Sequence, residues 1–247
     1  MYTYDLHVHT LKGSPDSELT PAKIKETAEK VGLYGAGITE HDKTWDHVDL
    51  RIEREQHEYN FIRGMEVTTD LGHVLVYGLN SYLSGIHKAE TLREKVDAAG
   101  GVMIIAHPFR RVFHFPKQYG NGTYSSAIEE LASWPIFELV DEIEVWNGAT
   151  GELENFLAYE VAKYLGKKGT AGSDAHSIHG LGRSVTIFQN PVHDVGEFIK
   201  EIKTGNIYPA QVISGPEMDR EIVPLDIAVH EKELEERLRI AMGVDGQ

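Results

Sequence analysis

The sequence predicts a single α/β domain wound as a parallel barrel. Short apolar runs alternate with longer polar-faced segments along the whole 247 residues, the pattern of repeated strand–helix units. No internal repeat, low-complexity tract or linker interrupts the alternation, and the length suits one barrel.

Taken in order, residues 2–9 form the first expected strand. Thr20 and Pro21 then mark a helix start, with Thr20 as cap and Pro21 in the first turn, and Gly32 ends it. Strands are expected at 35–39, 61–68 and 73–79. A helix at 87–99 stops at Gly100-Gly101, before a strand at 102–106. Further strands fall at 142–145, 170–172 and 185–188, with a short run at 210–213. Helices are expected at 151–165, closed by Gly166, and at 195–203, closed by Gly205. The last, at 231–242, is charged on one side and apolar on the other. Residues 41–60 and 109–125 read as loops.

Composition narrows the chemistry. There is no cysteine, which removes disulfides, thiolate metal sites and a cysteine nucleophile. The formal charge of −15 argues against a protein that tracks long nucleic acid, which needs clustered lysine and arginine. It leaves room for a small phosphorylated ligand, because bound cations reverse the potential locally. No apolar run reaches the roughly 18 residues of a membrane span, so no membrane partner is expected. The first residues lack a signal-peptide pattern, and with the missing cysteines this points to the cytoplasm. Asn121-Gly122-Thr123 matches a glycosylation sequon that such a location makes a coincidence.

The 13 histidines are unusual for where they fall. His7 and His9 are two apart in a strand, so they project to the same side, near its C-terminal end, where α/β barrels carry their sites. The next strand ends in Thr39-Glu40-His41-Asp42, and the third carries Gly64-Met65-Glu66. His73 opens the fourth, His107 follows the run 102–106, and Ser173-Asp174-Ala175-His176 follows another strand. Imidazoles and carboxylates together suit zinc, manganese or iron rather than calcium. A carboxylate such as Glu66 can bridge two ions about 3.5 to 4 Å apart.

These segments resemble the PHP (polymerase and histidinol phosphatase) superfamily. The H-x-H motif is Asp5-Leu6-His7-Val8-His9-Thr10, and the T-D-H-D motif is Thr39-Glu40-His41-Asp42, with Glu where Asp is usual. Gly64-Met65-Glu66 and His73-Val74-Leu75 follow. The A-H-P motif is Ala106-His107-Pro108, and the S-D-x-H motif is Ser173-Asp174-Ala175-His176. The resemblance covers about residues 1–190, and the remainder would complete the barrel and add a terminal helix. It implies a distorted (β/α)7 barrel and two or three divalent ions, Mn, Zn or Fe. His7, His9, Glu66 and Asp174 would hold the first; Glu66, His73 and His107 the second; His41, His176 and an acidic residue the third. Family members commonly read H-S-x-x-S-D-G after the first motif. Here Asp16 takes the acidic role two residues later than usual.

The expected activity is hydrolysis of a phosphate ester of a small metabolite or nucleotide. A hydroxide bridging the first two ions would attack in line, with Asp174 and His176 beside it. Arg110, after His107-Pro108, and Arg183 are candidates for the phosphate. Glu144 and Asn147 could orient a ligand or serve structure alone. The other histidines, at 47, 57, 87, 114, 179, 193 and 230, read as surface or hydrogen-bonded groups, with His114 and His179 flanking the expected mouth. Histidinol-phosphate phosphatase and polymerase-type exonuclease activity remain alternatives, as does a non-catalytic metal-binding regulatory module. Oligomeric state has no signature in the sequence.

Overall fold

The computed structural model describes residues 1–114, 123–215, 218–228 and 230–244. Residues 115–122 of the expected 109–125 loop, the sequon's Asn121 and Gly122 among them, and the His114 side chain lie outside them. The first half of the chain runs β1 (Tyr2–Val8), α1 (Pro21–Val31), β2 (Gly35–Ile38), α2 (His47–His57), β3 (Asn60–Thr69), β4 (Gly72–Tyr77), α3 (Ala89–Ala98) and β5 (Val102–Ile105). Then come α4 (Tyr124–Ala132), α5 (Ile136–Leu139), β6 (Glu142–Asn147), α6 (Glu152–Tyr164), β7 (Thr170–Gly172), β8 (Ser184–Phe188), α7 (Val195–Thr204), β9 (Ile207–Gly215), β10 (Met218–Pro224), α8 (Leu225–Ala228) and α9 (Glu231–Met242).

The local signals act as expected where they are strong. Thr20 caps α1 by accepting from Lys23 N, and Gly32 ends it in the left-handed region at φ 75°. The sequence reading left α2 as loop because none of its residues is buried, so no apolar stripe betrays it. The sequence reading places no helix over α4, whose first two residues close the expected 109–125 loop, although Tyr124, Ala127, Ile128 and Leu131 are buried at helical spacing and Thr123 caps them.

The strands form one mixed sheet in the order β10-β9-β8-β1-β2-β3-β4-β5-β6-β7. The expectation of a purely parallel sheet is corrected: among the described residues, five of the nine ladders are antiparallel. The cause is local. Only Asp70 and Leu71 separate the paired ends Thr69 and Gly72, and so short a connection forces a hairpin. The sheet curls back on itself, since Val8 forms a parallel bridge with Ala175 just past β7. His9 N donates to Ala175 O at 3.0 Å and Ala175 N to His7 O at 3.2 Å.

Aromatic and aliphatic side chains fill one part of the interior, among them Tyr4, Leu6, Tyr77, Phe188 and Phe198. Burial of side chains this large dominates core energetics, at about 1.5–3 kcal/mol each. Among the described residues, no helix is long and apolar enough to cross a membrane.

Candidate metal centre

The curl of the sheet brings strand ends that are far apart in sequence to one place. His7 lies in β1 and His9 just past it; both are fully buried. Glu66 lies in β3 and is 1% exposed. His41, after β2, bridges to Glu66 through the backbone and sets Nδ1 2.8 Å from Glu66 Oε2. His73, on β4, sets Nδ1 2.9 Å from Glu66 Oε1, and His107, after β5, sets Nε2 3.2 Å from the same oxygen. Asp174 and His176 follow β7. The Nε2 atoms of His7 and His9 lie 3.4 and 3.3 Å from Asp174 Oδ1, and 3.5 and 3.4 Å from Glu66 oxygens.

Among the described residues, four groups of donors cluster closely enough to share an ion: His7, His9 and Glu66; His7, His107 and Asp174; Glu66, His73 and His107; and His9, His41 and His176. Glu66 belongs to two of them, as a bridging carboxylate would. His41 and His176 bring their Nε2 atoms 3.4 Å apart, and Asp16 Oδ2 sits 3.5 and 3.3 Å from them. The displaced Asp16 therefore does reach this pair, from a side chain 59% exposed.

The donor chemistry fits divalent cations. His7 Nε2 and His9 Nε2 are buried without a hydrogen-bond partner among the described residues, and orphaned buried polar atoms cost roughly 1–3 kcal/mol each. Both imidazoles are fastened on their other nitrogen, His7 Nδ1 to Glu144 Oε1 at 3.0 Å and His9 Nδ1 to Ser14 Oγ at 3.1 Å. That is the arrangement of metal-ligating histidines.

Burial would raise the Glu66 carboxyl, but His7, His107 and His41 hold it well below the usual carboxylate range. Asp174 is likewise held far down against its burial, by His7, His9 and Arg110. His7 rises well above its ordinary value because Asp174, Glu144 and Glu66 outweigh its burial. His9 falls to about 4, burial leading, with the charges of His7 and His41 opposing its protonation. The opposite shifts of Glu66 and Asp174 on one hand and His7 on the other share one cause, the attraction between acids and imidazoles packed together, and a bound cation would compete for the same carboxylates.

The surrounding residues position these groups. Glu144 Oε2 accepts from His107 N and Asn147 Nδ2, both at 2.9 Å, while its Oε1 meets His7, so one carboxylate sets the segments of His7 and His107. Asp5 accepts from Ser173 N at 2.8 Å, Ser173 Oγ at 2.5 Å and Gly182 N at 2.9 Å, tying the loop of Asp174 to β1. Its carboxyl is pushed up to about 6 by burial, against those hydrogen bonds. His107 and Asp174 adopt φ of 30° and 55°, a region that costs a side-chain-bearing residue about 1–3 kcal/mol. A Cβ on Gly172 would lie 2.6 Å from His7 Cβ, so only glycine lets β7 pass this close.

Of the two arginines, Arg110 is at the cluster. Its Nη2 donates to Asp174 Oδ2 at 2.5 Å and Asn147 Oδ1 at 2.9 Å, and Nε donates to Thr150 Oγ1 at 3.0 Å. Arg183 is exposed, its Nε donating to His179 O at 3.0 Å, and the described contacts do not join it to the cluster. The remaining described histidines stay outside it: His47 meets Asn80, His57 meets Glu53, and His87, His179, His193 and His230 are exposed. The sequence reading missed Asp5 and Ser14 as fasteners. The alternation of β1, which turns Asp5 inward with His7 and His9, was the available signal for the first. Beside the cluster, a cleft of about 380 Å³ is lined by His73, His107 and Arg110 together with Leu71, Ile105 and Trp134.

Comparison with known proteins agrees with this picture. The family model described as PHP-associated matches residues 152–207. An uncharacterised protein of Methanocaldococcus jannaschii is 28% identical over 177 residues, covering 66% of this chain and 94% of its own. A protein of Bifidobacterium adolescentis, described provisionally as a metal-dependent phosphoesterase, superposes with TM-score 0.52 at 17% identity, covering 81% of this chain and 95% of its own. PsfC of Pseudomonas syringae superposes with TM-score 0.56 at 16% identity, covering 96% of this chain and 98% of its own. At these identities the two solved structures speak for the fold.

Proposed function

We propose that the chain is a PHP-type, metal-dependent phosphoesterase acting on a small phosphorylated metabolite or nucleotide; the PHP-associated match over residues 152–207 supports this reading. One observation carries the reading. Two buried imidazoles at the end of β1 offer unpartnered Nε2 atoms to the carboxylates of Glu66 and Asp174, and Arg110 stands beside them. We take β1 to β7 as the superfamily's distorted seven-stranded barrel, with β8 to β10 as an extension of the same domain. The strand order and the Val8–Ala175 bridge support this division.

His7, His9, Glu66 and Asp174 would hold the first ion, and Glu66, His73 and His107 the second. His41, His176 and Asp16 would hold the third, with His9 close by. Such ions, manganese, zinc or iron on this donor set, supply charge neutralisation at phosphoryl oxygens and activate water near neutral pH.

The chain's own groups do the rest. Arg110 is held by Asn147 and Thr150, and its Nη1 makes no hydrogen bond among the described residues, so it offers a charge-assisted donor to a phosphate oxygen. His176 Nδ1 donates to Asp174 O at 3.0 Å, which turns its Nε2 lone pair toward His41 and Asp16. The organic part of the substrate would occupy the cleft walled by Leu71, Ile105 and Trp134. At about 380 Å³ it suits one small molecule. The charge of −15 supports the same size class over long nucleic acid.

The test is a phosphate-release screen over nucleotides, nucleoside bisphosphates, histidinol phosphate and sugar phosphates with Mn²⁺. Release from a small ester, lost in Asp174→Ala with an unchanged circular dichroism spectrum, is expected. Metal-loaded protein that hydrolyses no mono- or diester would favour the regulatory module instead.

A further inference from the structure

We infer that Glu40 and Ser14 are positioning residues that hold His9 in the tautomer a metal requires, with Gly13 making room for them. The inference deepens the metal-centre reading and rests on the buried hydrogen bonds around His9.

Glu40, Ser14 and Thr10 are all fully buried. The Glu40 carboxylate accepts four hydrogen bonds: from Thr10 N at 3.0 Å, from Thr10 Oγ1, from Ser14 Oγ at 2.6 Å and from Trp45 Nε1 at 2.8 Å. A carboxylate is an acceptor only, so the single hydroxyl proton of Ser14 points to Glu40. The two remaining lone pairs of Ser14 Oγ then face His9 Nδ1 at 3.1 Å and His41 N at 3.3 Å. His41 N is a donor without alternative. His9 Nδ1 must therefore carry a proton as well, and the ring's Nε2 is left as a bare lone pair.

Without that demand the proton would sit elsewhere. His9 Nε2 faces Asp174 Oδ1 at 3.3 Å and Glu66 Oε2 at 3.4 Å, two acids that would draw the imidazole proton to the metal side. The hydroxyl, its own proton committed to Glu40, opposes that pull. His7 receives the same service directly from a carboxylate, Glu144; His9 receives it at one remove.

Gly13 belongs to the unit. A Cβ built there lies 2.3 Å from Glu40 Cγ and 2.5 Å from its Cδ, so the acid chain runs through the space a side chain would take. The longer acid at position 40 and the loop that carries Asp16 are fitted to each other. Thr10 and Ser14, both held by Glu40, set that loop's path.

Two measurements on the full chain test this. In metal-free protein near pH 8, ¹⁵N NMR of labelled histidine should show His9 protonated on Nδ1, and Ser14→Ala should move the proton to Nε2. By calorimetry with Mn²⁺ alone, Ser14→Ala should weaken the tightest site by about 10- to 100-fold, the range for lost outer hydrogen bonds to a ligand. Glu40→Gln should act in the same direction, and Ser14→Ala carries the test if that variant fails to fold. Retention of the Nδ1-protonated ring, or Mn²⁺ affinity within about twofold of the parent, overturns the inference. Both readouts are independent of turnover. A parent protein that releases no phosphate yet shows both shifts would sink the hydrolase reading and leave this one standing.

Discussion

The Arg110 guanidinium rests on the Asp174 carboxylate, Nη2 to Oδ2 at 2.5 Å, so the group expected to meet the substrate's phosphate already touches an expected metal ligand. The contact explains in part why Asp174 stays anionic against its burial. It also gives Arg110 one fixed place beside the cluster, since Asn147 and Thr150 grip the same side chain.

Arg110→Gln is expected to raise KM for the phosphate ester by about 10- to 100-fold, the loss of a charge-assisted hydrogen bond, while bound manganese stays unchanged. Steady-state kinetics and elemental analysis of the same sample decide it. Loss of metal with KM intact would make Arg110 a brace for Asp174 rather than a phosphate contact.

Glu144→Gln is expected to cost about 10- to 100-fold in metal affinity. Oε2 accepts from two N–H groups, His107 N and Asn147 Nδ2, so the oxygen of a glutamine must stay there. Its NH₂ then falls opposite His7 Nδ1 and drives the imidazole proton to Nε2, toward the metal. Calorimetric titration with Mn²⁺ checks this, and an unchanged binding curve would refute the positioning role.

Chelation should lower Tm, and added Mn²⁺ should restore it. Free ion at 100 times its Kd contributes about 2.7 kcal/mol, and each kcal/mol moves Tm by about 2–4 °C at this size. The expected rise is several degrees. A melting curve indifferent to both chelator and Mn²⁺ would count against the centre.

Glu142 offers a pH test away from the cluster. Burial raises its carboxyl, against hydrogen bonds from Gly169 N and Lys168 N. A raised folded-state value means the folded form binds the proton more tightly. The stability this group contributes is complete below its ordinary 4.5 and is lost as pH rises through the folded value. Glu142→Gln lacks that slope, so the variant should gain on the parent as pH rises above about 4.5. Denaturant melts in chelator across that range measure the difference, and a constant gap would contradict it.

Much of this was legible from residues alone. Strand alternation places His7 and His9 on one side, caps and glycines bound the helices, and the motif set is local, each piece spanning a few residues. What the sequence could not settle are distances between segments. His7 and Asp174 meet because the sheet curls until Ala175 bridges Val8, and Glu66 faces five imidazoles from four different strand ends. Glu40 stands in the sequence only as the acid that replaces the motif's usual Asp, and its partners Ser14, Thr10 and Trp45 appear only in the fold. The left-handed backbone of His107 and Asp174 likewise has no local signature. Periodicity and capping are short-range properties that a string of residues carries in itself. Which donors share one ion, and which nitrogen of each ring is left bare, depends on how segments far apart in the chain close around a common centre.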